Sequence, residues 1–296
     1  MQVWLAAARP RTLPAAISPV LVGTAAAQHF SAWRFAAALI VALAVQVAVN
    51  FANDYFDGVK GVDTPERRGP QRAVAAGLVS PGRMRVAMIA ALGVAALAGL
   101  ALAAAVGWEL LIVGALCFVA ALGYSGGPRP YASAGLGELS VFLFFGLVAT
   151  MGSAYVQDEQ LRWLPAVAAV PVGLLSVALL VVNNLRDIPT DRRAGKRTLA
   201  VRLGPRVTFD LYIAVVNTAV LFTGLVAFVA FSVWPALGFA ALPLALVAQN
   251  RTASGMRADD PAELIKALAA TGRLQLVYGV LLSCGLALAS RMPGAF

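Results

Sequence analysis

Charge is scarce in this 296-residue chain: Asp, Glu, Lys and Arg together make up 12 % of it, about half the share of an ordinary soluble domain. A soluble core does not account for such a sequence. Histidine is nearly absent. The single His29 excludes an imidazole-rich metal centre, so any metal must be held by oxygen. The two cysteines, Cys117 and Cys284, lie in separate apolar runs with no CxxC pattern. That excludes a disulfide framework and a thiolate metal or redox site, and both read as small residues facing lipid or core. Lysine is confined to Lys60, Lys196 and Lys266 among 23 basic residues, which draws attention to the two beside acidic clusters.

Apolar residues fill the space that charge leaves. They reach 60 % of the chain, with a mean hydropathy of +0.80. A spanning helix needs roughly 20 mostly apolar residues, and several stretches satisfy that. The expected fold class is all-α, a polytopic membrane protein. Length and periodicity predict nine spans, near 13–28, 35–57, 84–106, 108–124, 137–155, 163–186, 208–232, 234–250 and 273–290. The first has the outline of a cleavable signal, with Arg9 and Arg11 ahead of it and Ala25-Ala26-Ala27 behind. Pro14 and Pro19 interrupt it and further spans follow, so it is read as a retained helix.

Orientation follows from the basic residues. Only Arg34, Arg162 and Arg291 lie outside the N-terminus and the loops after spans two, four, six and eight; the other 20 of the 23 share one side. Positive residues mark the cytoplasmic side, which predicts an N-terminus inside and a C-terminus outside a cell membrane. The net charge of +9 then faces anionic headgroups, so membrane lipid is an expected partner and nucleic acid is not.

Two breaks between spans carry chemistry. The second span ends Asn53-Asp54-Tyr55-Phe56-Asp57-Gly58-Val59-Lys60-Gly61-Val62-Asp63. On a helix Asn53, Asp54 and Asp57 share a face at three- and four-residue spacing. Gly58 and Gly61 allow the chain to bend and bring Asp63 back to the same point. Carboxylates gathered at a membrane boundary stay ionised only if cations neutralise them. Oxygen-only ligation with open positions suits Mg²⁺ shared with substrate phosphates. The sixth span ends Arg186-Asp187-Ile188-Pro189-Thr190-Asp191, followed by Lys196 and Arg197. Asp187 and Asp191 are four apart, and Pro189 is expected to end or kink the helix between them. Lys196 and Arg197 suit phosphate oxygens, as a point charge and a planar fork. The two clusters look like copies: Asp57 and Asp187 each close an apolar helix with Asn just upstream, and Arg72-Ala73-Val74 parallels Arg197-Thr198-Leu199. Two facing acidic clusters, each with a basic stretch, make a cage for metal ions and a diphosphate.

With these residues in view, the whole chain resembles the UbiA superfamily of intramembrane prenyltransferases. Asn53-Asp54-x-x-Asp57 is similar to the start of the family's first motif and Asp187-x-x-x-Asp191 to its second. The common first motif continues with an Asp where this chain has Gly61, and Asp63 lies two further on. That spacing is similar to the bacterial 1,4-dihydroxy-2-naphthoate branch. So are Arg9-Pro10-Arg11-Thr12-Leu13-Pro14, Gly69-Pro70-x-Arg72, Tyr124-Ser125-Gly126-Gly127-Pro128 and Gly135-Leu136-Gly137-Glu138.

The resemblance implies nine helices around a central cavity in one domain, 1–296, with Asp-rich halves of about 1–130 and 131–296. It implies Mg²⁺ as cofactor, with a polyprenyl diphosphate and 1,4-dihydroxy-2-naphthoate as substrates and demethylmenaquinone formed with loss of CO₂. Metal ligands would be Asn53, Asp54, Asp57, Asp63, Asp187 and Asp191. The diphosphate would meet Arg72, Arg129, Lys196 and Arg197. Asp54, Asp57, Asp187 and Lys196 would carry the catalysis. Tyr124, Arg11 and Glu138 are candidates for the acceptor side. Tyr124 and Arg129 fit plain interfacial residues equally well, Arg11 fits a topology-setting charge, and Glu138 fits either a site residue or a support behind one. Phe142, Phe144 and Phe145 are expected to pack between helices rather than line a prenyl cavity. Two rivals stay open: another aromatic acceptor such as 4-hydroxybenzoate or homogentisate, and a cation-coupled secondary transporter.

Overall fold

The structure, a computed structural model, describes residues 2–61, 68–128 and 130–290. Asp63, Arg129 and Arg291 lie outside the described residues. Every regular element among those described is helical. A short α1 (Gln2–Ala8) leads through a 3₁₀ turn (Pro10–Thr12) into α2 (Pro14–Ala25). The long α3 (Ala32–Val59) follows, then α4 (Pro81–Val106) and α5 (Glu109–Ser125). The next rod is composite: α6 (Gly137–Val141), a π-helical stretch Phe142–Val148 and α7 (Ala149–Asp158). It is followed by α8 (Trp163–Arg193), α9 (Leu199–Val229), a 3₁₀ segment Trp234–Ala241, α10 (Leu242–Ala258) and α11 (Pro261–Ala289).

Local chemistry explains many ends. α4 opens on Pro81 behind Ser80, whose hydroxyl accepts from the Arg83 N–H at 3.4 Å. α11 opens on Pro261 behind Asp260, which accepts from the Ala262 N–H at 2.8 Å. Proline at the first helical position loses no hydrogen bond, and such caps satisfy orphan donors. In α9, Gly204 departs from helical geometry at φ 78 and Pro205 restarts the helix.

Six helical rods are long and apolar enough to cross a membrane among the described residues; Pro14–Ala25 and Glu109–Ser125 are shorter apolar helices. The eighth expected span opens as the 3₁₀ segment, and its helical part carries Gln249, Asn250 and Arg251. One expectation is corrected. α8 neither ends nor breaks at Pro189 but runs on to Arg193, which sets Asp187 and Asp191 one turn apart on a continuous helix. A mid-helix proline costs about 3 kcal/mol. Against that, α8 is the most buried of the six, with 72 % of its apolar window covered, and Thr190 Oγ1 donates back to the Asp187 carbonyl at 2.9 Å.

Around α8 the helices are tied by buried hydrogen bonds. Ser18 Oγ donates to the Gln275 carbonyl at 3.0 Å, and Gln275 Nε2 donates to Ser176 Oγ at 2.7 Å. Tyr212 pairs with Thr271 at 2.7 Å and Tyr278 with Thr223 at 2.9 Å. α3 packs on α4 as α8 packs on α9, but only 22 % of the α4 window is covered. α4 is thus the least covered of the six long rods and α8 the most.

Candidate active site

A cavity of about 620 Å³ lies between these helices. Its length is apolar, with Val41, Ala42, Leu100, Phe118, Phe144 and Phe145 among the lining residues. The π stretch carries Phe144 and Phe145 on the cavity wall, whereas Phe142 packs on α8 beside Gly173. The packing expectation therefore holds for Phe142, holds for Phe145 in that it packs on the core while also lining the cavity, and is corrected for Phe144, because a π bulge shifts the register of side chains along a helix.

Both acidic clusters reach one polar end of this cavity. Asn53 and Asp57 from the end of α3 line it together with Asp187 and Asp191 from the end of α8. Arg72 and Lys196, from the loops that follow, line it too. Asp57 Oδ2 stands 3.0 Å from Lys196 Nζ and 3.9 Å from the Arg72 guanidinium, so a lysine after the second cluster serves the first. Asp187 is gripped by its neighbour: Arg186 Nε donates to Oδ1 at 2.8 Å and its terminal nitrogen to Oδ2 at 2.7 Å. The same nitrogen reaches Asn183 Oδ1 at 2.9 Å. Arg186 is only 2 % exposed. Gly69 lies against its guanidinium, where a Cβ would fall 2.8 Å from nitrogen.

Charge balance decides what the site can accept. A lone Asp at membrane depth costs about 2.5–3.5 kcal/mol, and here Arg72, Arg186 and Lys196 offset Asp57, Asp187 and Asp191. A diphosphate adds further negative charge, which these residues cannot match alone. The donors that face the cavity are carboxylate and amide oxygens, the set Mg²⁺ takes jointly with phosphate. Among the described residues no three carboxylate, thiol or imidazole groups stand together as a metal cluster. On donor chemistry and charge the residues fit Mg²⁺.

Other expected residues fall elsewhere. Asp54 does not line the cavity: its oxygens accept from the backbone N–H groups of Ala73 and Val74 at 3.0 and 2.9 Å. Arg197 is exposed. Its N–H donates to the Ser133 carbonyl at 2.9 Å, which anchors a short stretch where Lys196 and Thr198 line the cavity and Arg197 does not. Arg11 is exposed on the 3₁₀ turn. Arg9, in a left-handed conformation at φ 51, lines the cavity instead. That turn is held by Thr12, which donates to the Arg9 carbonyl at 2.9 Å and receives Gln46 and Asn50 at 3.0 and 3.1 Å. Glu138 is buried behind the wall, where it accepts from Asn184 Nδ2 at 3.0 Å, and it is Asn184 that lines the cavity. Tyr124 also lines it, edge-on to Tyr131 at 5.5 Å.

Sequence reasoning gave no role to Arg186, because adjacent residues on a helix face different ways and helical periodicity does not report their pairing. An Arg at the end of a long apolar run was the available signal. It also gave no role to Ser125, which hydrogen-bonds Asn53; Lys60, singled out for standing beside the first cluster, donates from its ammonium to the Gly127 carbonyl at 2.9 Å and does not line the cavity.

Fold and site together define a multi-pass helical membrane protein whose apolar cavity ends in two acidic clusters. The chain belongs to the UbiA prenyltransferase family, whose profile matches residues 16–287. It is 45 % identical over 289 residues to 1,4-dihydroxy-2-naphthoate octaprenyltransferase of Mycobacterium tuberculosis, covering 96 % of each chain. To the protein of that name from Bacillus subtilis it is 30 % identical, covering 94 % of this chain and 90 % of that one. Among solved structures, a UbiA homolog from Aeropyrum pernix K1 superimposes with a TM-score of 0.66 at 16 % identity, over 94 % of this chain and 96 % of that one. A UbiA homolog from Archaeoglobus fulgidus, bound to DMAPP and Mg²⁺, gives 0.62 at 14 % identity, over 95 % and 99 %. The fold is thus the UbiA fold.

Proposed function

We propose that this protein transfers a polyprenyl group from a polyprenyl diphosphate to 1,4-dihydroxy-2-naphthoate in menaquinone biosynthesis. Near-full-length identity to enzymes of that name carries the choice of acceptor. The meeting of Asp57 and Asp187 at one end of an apolar cavity supports the reaction type. In this reading the allylic C–O bond breaks and pyrophosphate leaves with the bonding pair. The ring carbon bearing the carboxylate bonds to the allylic carbon, CO₂ departs, and demethylmenaquinol results, the reduced form of demethylmenaquinone.

Asn53, Asp57, Asp187 and Asp191 would hold Mg²⁺, with Asp63 as a further candidate. When bound, Mg²⁺ supplies the positive charge that a departing pyrophosphate requires. Arg72 and Lys196 share that charge and orient the diphosphate. The Phe144 and Phe145 wall shields an allylic cation from water, and the apolar length of the cavity takes the prenyl tail. Arg9 takes the role first given to Arg11, facing the acceptor carboxylate, with Tyr124 beside it. The single domain of two Asp-rich halves belongs to the same proposal. So does the orientation, with the acidic end and N-terminus in the cytoplasm. Arg34 and Arg162, which pair with Glu159 and Asp158 at 2.8 and 3.4 Å, lie at the opposite membrane face.

Membranes containing the protein, offered one labelled polyprenyl diphosphate and several aromatic acceptors with Mg²⁺, test this reading. Prenylated, decarboxylated naphthalenediol is the expected product. Transfer to 4-hydroxybenzoate or homogentisate in its place would overturn the choice of acceptor.

A further inference from the structure

Asp54 and Asp57 are three residues apart on the last turns of α3, yet their carboxylates do different things. Asp57 faces the cavity and the basic groups of the mouth. Asp54 is 2 % exposed and turned to the loop before α4. There Oδ2 accepts from the Ala73 N–H at 3.0 Å and Oδ1 from the Val74 N–H at 2.9 Å. A buried carboxylate with an N–H on each oxygen is satisfied by charge-assisted hydrogen bonds and is not directed at the cavity. One turn on, Gly58 shares that face of α3. A Cβ on Gly58 would fall 2.6 Å from a methyl of Val74, so only glycine lets the loop come this close.

The loop so held is compact. The Ala76 N–H returns to the Arg72 carbonyl at 3.0 Å, and those of Leu78 and Val79 to the Ala73 carbonyl at 2.9 and 3.1 Å. Arg72, the residue before the clamped pair, is 8 % exposed with its guanidinium 3.9 Å from Asp57. Its long side chain has a heavy entropic cost to order. Fixing the backbone beside it restricts where that chain can go.

We propose that Asp54 is a positioning residue: by clamping the Ala73–Val74 backbone it presents Arg72 to the diphosphate end of the cavity, and it does not ligate the metal. This rests on the prenyl-transfer reading only for the identity of the natural diphosphate; inorganic pyrophosphate serves as an independent probe.

The test compares wild type, Asp54→Asn, Arg72→Gln and the double variant. Asn keeps the volume but turns an N–H donor towards one of the two backbone donors. Three quantities are read: KM for polyprenyl diphosphate, calorimetric affinity for inorganic pyrophosphate with Mg²⁺, and binding of Mn²⁺ to the substrate-free protein. Asp54→Asn should raise KM and weaken pyrophosphate roughly tenfold, as expected for one charge-assisted hydrogen bond lost from the ligand. It should add nothing once Arg72 is Gln, and leave Mn²⁺ binding unchanged. Weaker Mn²⁺ binding, or a further loss in the Arg72→Gln background, would overturn the proposal. Should Asp54→Asn fail to fold, Gly58→Ala pushes the same loop from the next turn. It should weaken pyrophosphate in the same way and be relieved by Val74→Ala; unchanged affinity in Gly58→Ala would count against the clamp. Pyrophosphate binding that behaves as expected without prenyl transfer to any acceptor would sink the enzymatic reading and leave the clamp standing.

Discussion

The two loops that close the polar end are held in opposite ways. After α3, a side chain of the helix grips the backbone of the loop: Asp54 on Ala73 and Val74. After α8 the loop is held from the helix that follows it, α9. Thr198 caps α9 by accepting from the Val201 N–H at 3.3 Å, while Arg202 donates to the Arg197 and Ala134 carbonyls at 3.0 and 2.6 Å. The acidic partners differ as well. Asp57 meets Lys196, which comes from the far loop; Asp187 is clasped by Arg186, its own neighbour on a buried helix. Similar sequences thus yield one cluster tied across the cavity and one tied within its own helix. The first joins groups from two separate loops, whereas the second lies within one buried helix.

That contrast is broken most severely at Arg186. Arg186→Ala removes the bidentate partner of Asp187, and breaking a buried ion pair by removing one member costs about 3–5 kcal/mol. Thermal unfolding in detergent should fall sharply and turnover should vanish. Adding Asp187→Asn should restore much of the stability but none of the turnover. Wild-type unfolding in Arg186→Ala would show that the clasp is incidental.

Lys196→Ala is expected to act the other way round. Asp57 is about as buried as Asp187, at 7 % against 6 % exposed, but it keeps Arg72 within reach at 3.9 Å, so unfolding should shift little. Turnover should fall by roughly 10²-fold, the scale seen when one preorganised charge at a reacting centre is removed. A stability loss matching that of Arg186→Ala would erase the distinction between the loops.

The N-terminal arginines sharpen it further. Arg9→Gln should raise KM for 1,4-dihydroxy-2-naphthoate about tenfold, as for one charge-assisted hydrogen bond, with KM for the prenyl diphosphate unchanged. Arg11→Gln, on an exposed turn, should leave both values alone. The reverse pattern would return the acceptor contact to Arg11.

The smallest effect belongs to the staple on the outside of the first loop. Arg68 donates to both Asp259 oxygens, one at 2.6 Å. This hydrogen bond holds the Asp259 carboxyl below its ordinary value, and it raises Arg68. A depressed carboxyl contributes stability that is complete above the unfolded pKa of about 4 and is lost as pH falls through the folded value. Asp259 is largely exposed, so solvent screening limits the contribution to about 0–1 kcal/mol. Asp259→Asn should lower the unfolding temperature slightly at pH 7 and not at all at strongly acid pH. An undiminished difference in acid would assign the effect to something other than the ion pair.

What was legible in the sequence follows from how local each feature is. Asn53, Asp57, Asp187, Asp191, Lys196 and Arg72 were readable because they sit at or just beyond the ends of long apolar helices, at spacings that fix a shared face. The continuation of α8 through Pro189 was not, because burial of the helix overrides the local preference of the proline. The turning away of Asp54 depends on backbone N–H groups 19 and 20 residues downstream, which no helical periodicity reports. Arg9 and Arg11 differ only in a left-handed residue and a 3₁₀ turn, and the choice between them lay below the resolution of a motif. Expectations for Asp63 and Arg129 fall outside the described residues and rest on the sequence.

The central claim is that both halves build a single diphosphate site. Calorimetric binding of a non-reactive polyprenyl thiodiphosphate at saturating Mg²⁺ tests it directly, using Asp57→Asn, Asp187→Asn and the double variant, with folding checked by unfolding in detergent. If the halves share one site, each single change abolishes most of the binding and the double change is no worse than either. Independent losses that add, or near wild-type binding by either single variant, would mean that the two clusters do not act on one diphosphate.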